Sequence, residues 1–204
     1  MPELDALFGV PNPQEHYPEI DTGIHSLMAL RAAVNLTPEP ATRFAALVHG
    51  LGKAKTAMQH WPKHYGHEDL GVTVIEALCT RLRIPNDYRV LATQVVRAHL
   101  NIHRLRNLCA EKVVGLLEQL DAFRRPQLFY CLLIACQAAV QGSGLTRAYA
   151  QADWWRTLLA ECVTVNAQEL IAQGYSGRAI KDGLHQKRVA RVEQLLHSWN
   201  LNEK

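Results

Sequence analysis

No stretch of this chain is apolar for long enough to cross a bilayer, which argues against a membrane protein. Met1-Pro2-Glu3-Leu4-Asp5 lacks the basic head and apolar core of a secretion signal, so the cytoplasm is the expected compartment. C-x-x-C pairing is missing too. The five cysteines, Cys79, Cys109, Cys131, Cys136 and Cys162, are odd in number and sit mostly in apolar helical contexts. They read as reduced thiols and not as a disulfide framework or a zinc ribbon. Nor is there an excess of one charge: 22 Lys and Arg against 19 Asp and Glu give a net charge of +3, so nucleic-acid binding would have to come from a local cluster of cations. Internal repeats, low-complexity tracts and strand-like alternation are all absent. What is present is ordinary globular composition, 48% hydrophobic and 20% charged over 204 residues, enough for one core with a helical appendage.

The apolar spacing predicts an all-α chain. Residues 1–20 carry four prolines and little periodicity, and read as an extended lead-in without a helix of its own. Asp21 or Thr22 then caps a helix to about Asn35, with Ile24, Leu27 and Met28 as its buried stripe and His25 at the stripe's edge. A second helix, Ala41 to about Val48, buries Phe44, Ala45, Leu47 and Val48. Residues 50–66 read as loop. Helices follow from about His67 to Arg83, from Asn86 to about Leu100, from about Ala110 to Leu120, and from Pro126 to about Gln141, the last apolar on nearly every side. A long helical stretch from Ala150 to Gln173 shows a break near Thr164-Val165-Asn166, and a final helix runs from beyond Gly177 to about Asn200.

Leu47-Val48-His49-Gly50-Leu51-Gly52-Lys53 ends an apolar helix in a histidine, two glycines and a lysine. With His25, His60, His64, His67, His99 and His103 it puts most of the ten histidines in one window. Imidazole is the commonest metal ligand, and a helical protein assembles a metal site by bringing together histidines from several helices. A single histidine on a helix is ordinarily a core or surface residue with routine hydrogen bonds, so the weight rests on the joint pattern. His25, His49, His67 and His99 converge if their four helices pack with these ends together. Carboxylates are what the pattern lacks.

Gly23-Ile24-His25, Leu47-Val48-His49-Gly50-Leu51-Gly52-Lys53 and Gly66-His67-Glu68-Asp69-Leu70-Gly71 resemble the successive motifs of the HD-domain metal phosphohydrolases. More narrowly, Leu7-Phe8-Gly9-Val10-Pro11, Glu19-Ile20-Asp21-Thr22-Gly23 and Trp61-Pro62-Lys63-His64-Tyr65-Gly66-His67 are similar to the C-terminal HD domain of bacterial multifunctional CCA-adding enzymes, the tRNA nucleotidyltransferases. Leu82-Arg83-Ile84-Pro85-Asn86, Leu120 to Gln127 and the Gly174-Tyr175-Ser176-Gly177 turn fit the same family, so the likeness covers essentially the whole chain.

The resemblance implies an HD-type helical core over 21–145, with a C-terminal helical extension over 146–204 packed on the same domain. It implies 2′,3′-cyclic phosphodiesterase, 2′-nucleotidase and phosphatase activities on 2′,3′-cyclic or 2′-phosphorylated nucleotides or tRNA ends. Nickel, magnesium or manganese would serve as the divalent metal. An N-terminal polymerase part is also implied, but no Gly-Ser pair followed by Asp-x-Asp occurs here, so the chain is expected to be a domain taken from a longer protein. His25 and His49 fall on the family's metal histidines. His67 and His99 stand where two-metal relatives have further ligands, and Lys53 is the expected catalytic cation at the phosphate.

Two departures weigh against this chemistry. Gly50 stands where the family has Asp directly after the motif histidine, and Ala139 where it has a second Asp. Both remove oxygen ligands, so the expected outcome is a severely impaired site, with no metal held in this chain as one possibility. The competing expectation is a non-catalytic module that binds tRNA or forms a homodimer. Its carrier would be Arg178, Lys181, Lys187, Arg188 and Arg191, a basic face near the C-terminus suited to tRNA phosphates, although such a face is more often simply solvated. For Trp154-Trp155, core packing is expected over base stacking.

Overall fold

The computed structural model describes residues 1–14, 21–143 and 148–201, with side chains described as far as Trp199. Part of the Glu19 to Gly23 motif, the end of the expected lead-in and the expected boundary at 145 and 146 lie outside the described residues. The rest is all-α: among the described residues the sole β-type pairing is an isolated bridge between Pro11 and Asp21, and no helix is long and apolar enough to cross a membrane. Contacts divide the chain into two compact units, Met1–His103 with Tyr130–Ala150, and Arg104–Phe129 with Gln151–Lys204.

The first unit opens differently from the expected extended lead-in. Pro2, whose fixed φ suits a helix start, begins a short helix α1 (Pro2–Asp5), and Glu3 accepts from the Arg81 guanidinium at 2.6 and 2.7 Å. Beyond it Leu7, Val10 and Asn12 are buried. Asp21 then does two jobs. Its Oδ1 caps α2 (Thr22–Leu36) by accepting from the Ile24 amide at 2.9 Å, and its Oδ2 accepts from the Gly9 amide at 2.6 Å.

The buried face of α2 is not the expected one. Ile24 and Leu27 are each 45% exposed, and the inward face is Thr22, His25, Ser26, Ala29 and Ala33. Small residues let neighbours approach closely: a Cβ on Gly142, just past α7, would stand 2.6 Å from the Ala29 amide nitrogen. The helix α3 (Pro40–Val48) buries Thr42, Ala45, Ala46 and Val48, leaving Phe44 and Leu47 half-buried.

Two 3-10 turns, Leu51–Lys55 and Met58–His60, occupy the region expected to be loop. Next come α4 (His67–Arg81) and α5 (Asn86–His103). The first of these turns lies against the start of α4 so closely that a Cβ on Gly52 would be 1.9 Å from the His67 carbonyl oxygen. Glycine is therefore a requirement of the fold there. In α4 the inward face carries His67, Gly71, Val72, Ile75, Leu78 and Cys79, while the expected core residue Leu70 is 39% exposed. The helix α5 runs through His103, so His99 and His103 share one face, a turn apart.

In the second unit, α6 (Ala110–Gln119) buries Val113, Val114, Leu116 and Leu117. The helix α7 (Pro126–Gln141) has the expected bounds and starts in this unit and ends in the first. None of its residues from Leu128 onward is exposed. The expected break at Thr164 to Asn166 separates α8 (Ala150–Val163) from α9 (Gln168–Ala172), and α10 (Arg178–Leu201) follows. Trp155 is fully buried against Phe129. Trp154 is half-buried, between the Arg106 guanidinium and Trp199.

Candidate metal centre

Helix α2 supplies His25, the end of α3 supplies His49, the start of α4 supplies His67, and the last turns of α5 supply His99 and His103. The four histidines singled out from sequence stand in a row. Ring centroids are 5.3 Å apart for His25 and His49, 6.0 Å for His49 and His99, and 5.5 Å for His99 and His67. His103 branches from the row at His99, 5.9 Å away, and bonds the Tyr149 hydroxyl through Nδ1 at 2.7 Å. His60 is exposed. His64 is buried, bonding Thr56 Oγ1 at 2.7 Å and the Pro11 carbonyl at 2.6 Å.

The local backbone fixes the tautomers. In His49, His67 and His99 the Nδ1–H donates to the carbonyl three residues earlier: Ala46 at 2.7 Å, His64 at 2.8 Å and Val96 at 2.8 Å. A carbonyl can only accept, so each ring must carry its proton on Nδ1, and its lone pair stands on Nε2. With Nδ1–H held by a carbonyl, the imidazole presents Nε2 as a metal ligand would. Nε2 of His67 is buried and has no hydrogen-bond partner in the protein.

Burial and mutual repulsion disfavour the charged form of three of these rings. His49 titrates well below the ordinary imidazole range because it is buried, with His25, His99 and Lys53 adding repulsion and the Ala46 carbonyl opposing the shift. His99 is lowered likewise by burial, then by His103 and His67. Burial also lowers His67, and Glu68 opposes this from the Nδ1 side at 3.5 Å. Lys53 is itself buried, and its ammonium donates to Asn12 Oδ1 at 2.7 Å. Asn12 Oδ1 also accepts from the Thr22 hydroxyl at 3.1 Å.

A pair of divalent ions does not fit this donor set. The row offers imidazole nitrogens and a lysine ammonium, with no side-chain oxygen at positions 50 and 139, and among the described residues no three His, Cys, Asp or Glu side chains are set to hold one metal ion. Gly50 has an unstrained backbone, φ −91° and ψ −2°. A Cβ there would stand 3.3 Å from Thr22 Cγ2 and 3.6 Å from Ser26 Oγ, a buried hydroxyl without a hydrogen-bond partner. Ala139 is buried on α7 with only a methyl to offer.

Four of the five cations of the expected basic face stand within 3.8 Å of an acid. Arg178 pairs with Asp182, Lys187 with Glu169, and Arg191 with Glu161 at 2.7 Å. Arg188 lies 3.8 Å above the Phe123 ring centroid and 3.8 Å from Glu118. Lys181 is exposed.

Sequence reasoning missed Asn12, Ser26 and Tyr149. Each is a polar residue whose importance comes from distant neighbours, and no local pattern marks it.

The chain belongs to the HD domain family, which matches residues 22–125; members of this family generally bind divalent metals. Its similarity extends further, to proteins named Multifunctional CCA protein. Identity is 60% over 204 residues with that of Legionella pneumophila (strain Paris), covering 100% of this chain and 50% of the relative. It is 46% over 201 residues with that of Thioalkalivibrio sulfidiphilus, covering 98% and 49%, and 44% over 200 residues with that of Nitrosococcus oceani, covering 97% and 49%. The chain thus spans about half the length of the curated relatives it matches. No solved structure matches it.

Proposed function

We propose that this chain is the HD part of a CCA-adding tRNA nucleotidyltransferase, and that its phosphohydrolase site keeps the imidazole framework while having lost most of its hydrolytic power. The substrates of that site would be 2′,3′-cyclic and 2′-phosphorylated nucleotides or tRNA ends. His25, His49, His67 and His99 would be the nitrogen ligands, and Lys53 the cation beside the phosphate. The observation that carries the reading is the row itself: four buried imidazoles, three with Nδ1 tied to backbone, and Gly50 and Ala139 where the anionic ligands are expected. Two divalent ions held close need negative ligands to offset their mutual repulsion and to fix the attacking water. Neutral nitrogens alone suit a single nickel or zinc ion better.

Hydrolysis of 2′,3′-cyclic AMP by this chain and by a Gly50→Asp, Ala139→Asp variant, with nickel, manganese or magnesium added, tests the reading. The chain should be orders of magnitude slower than the variant, since about 1.36 kcal/mol of lost transition-state stabilisation is tenfold in rate. Robust turnover by the unmodified chain would refute it. If neither protein turns over, the non-catalytic tRNA-binding or dimerising module becomes the better account.

A further inference from the structure

Three cations of α10, Lys187, Arg188 and Arg191, reach across to acids on other helices of the same unit, and His185 does so twice. Its Nε2 lies 2.8 Å from Glu111 Oε1 and its Nδ1 lies 3.0 Å from Glu118 Oε2. Neutral imidazole has one N–H and one lone pair. A lone pair facing a carboxylate at this distance repels it, so both contacts attract only when both nitrogens carry protons. Glu111 and Glu118 are seven residues apart on α6, two helical turns along one face, and the imidazole reaches between them.

We propose that His185, Glu111 and Glu118 form a protonation-operated clasp that fastens α10 to α6, closed while the ring is an imidazolium and released when it loses a proton. The rest of the packing gives this clasp weight. Val189 and Val192 are the buried apolar residues of α10 among those described, and its other described residues are half-buried or exposed, so polar contacts add to a modest apolar face. The hydrogen bond to Glu111 raises the His185 pKa above the ordinary imidazole value, burial opposes it, and Glu118 adds to the rise.

The surrounding charges decide which end opens. From α6 the ring meets Glu111 and Glu118. On α10 itself Arg188 stands 3.8 Å from Glu118, and Arg178 pairs with Asp182. Glu169 of α9 is taken by Lys187, and Glu161 of α8 by Arg191. When His185 loses one proton a single N–H remains, so one contact keeps its donor while the other carboxylate faces a lone pair. Glu118 has Arg188 beside it, so the remaining N–H is held best towards Glu111, and release starts at the Glu118 contact.

The sign follows from the raised value. Below about 6.5, the ordinary imidazole value, the clasp contributes its full stabilisation, and this is lost as pH rises through the raised folded-state pKa.

The test is amide exchange of α6 and α10 in the full chain across pH 6 to 9, corrected for the intrinsic base-catalysed rate, for the parent and for His185→Gln. Parent protection should fall as pH rises, by about tenfold for each unit by which the His185 midpoint exceeds 6.5. His185→Gln should show low, pH-independent protection of the same segments. A parent profile flat in pH, or a variant that follows the parent's pH dependence, overturns the clasp. Should the variant fail to fold, the parent alone decides: an NMR midpoint for the His185 ring at or below 6.5 refutes the proposal, and one above it, moving with the protection of α10, supports it.

Discussion

Replacing Gly52 by Ala puts the closest contact in the fold to the test. The new Cβ would stand 1.9 Å from the His67 carbonyl oxygen, 2.5 Å from the Gly71 nitrogen and 2.8 Å from the Gly71 Cα. All three atoms are backbone, so no side chain can rotate away. An ordinary C···O approach is about 3.3 Å or more, so the Leu51–Lys55 turn and the start of α4 must separate by roughly 1.4 Å. Those two segments carry Lys53 and His67. Overpacking costs about 1–3 kcal/mol, and rigid backbone on the receiving side puts this case near 3. The entropy gained by removing a glycine from the unfolded chain returns only about 0.4–1 kcal/mol. The net loss of about 2 kcal/mol corresponds to a fall in Tm of roughly 4–8 °C for a chain of this size. Calorimetry of Gly52→Ala beside Gly50→Ala is the assay. The second variant, whose Cβ meets Thr22 Cγ2 at 3.3 Å, should shift Tm by no more than about 3 °C. An unchanged or higher Tm for Gly52→Ala would refute the packing argument.

The histidine row makes the first unit sensitive to acid. His49, His67 and His99 have folded pKa values below the ordinary one, so between the two values the unfolded chain binds more protons. Stability is present above about pH 6.5 and is lost as pH falls, by up to about 1.4 kcal/mol per pH unit for each histidine. Denaturant unfolding at pH 7.5 and 5.5 checks this, and equal midpoints would contradict it. Gly50→Asp should fold, because the backbone there is unstrained and the Cβ has room beside Ser26; a circular-dichroism melt more than about 10 °C below the parent would show otherwise. Arg188→Ala should destabilise the second unit by about 1–2 kcal/mol, through loss of the Phe123 and Glu118 contacts. If tRNA binds, Lys181→Ala should lower the salt slope of binding by about one phosphate contact, and an unchanged slope would leave Lys181 a solvated residue.

Much of the fold was legible because its signals are local. The bounds of α7 follow from Pro126 and an apolar run, and the break between α8 and α9 from a cluster of branched and cap-forming residues. The inward face of α2 was not legible. Hydrophobic periodicity selects Ile24 and Leu27, whereas close packing and the histidine row demand Thr22, His25, Ser26, Ala29 and Ala33 inside. Pro2 starts a helix where a count of prolines suggested extended chain. The histidines could be gathered from sequence because a residue type with special chemistry recurs at helix ends, but the i−3 carbonyls that set their tautomers could not be. The basic face was visible as residues, but its ion pairs were not: the acid beside Arg191 is 30 residues away in sequence, and the one beside Lys187 is 18 away.

Metal stoichiometry decides whether the imidazole row can hold a pair of ions. The chain and its Gly50→Asp, Ala139→Asp variant would be loaded with nickel or manganese, dialysed side by side, and their bound metal counted per chain. At most one tightly held ion is expected in the unmodified chain, and a second only in the variant. Two tightly held ions in the unmodified chain would contradict it, because the imidazole row would then be sustaining a metal pair without the carboxylates at positions 50 and 139.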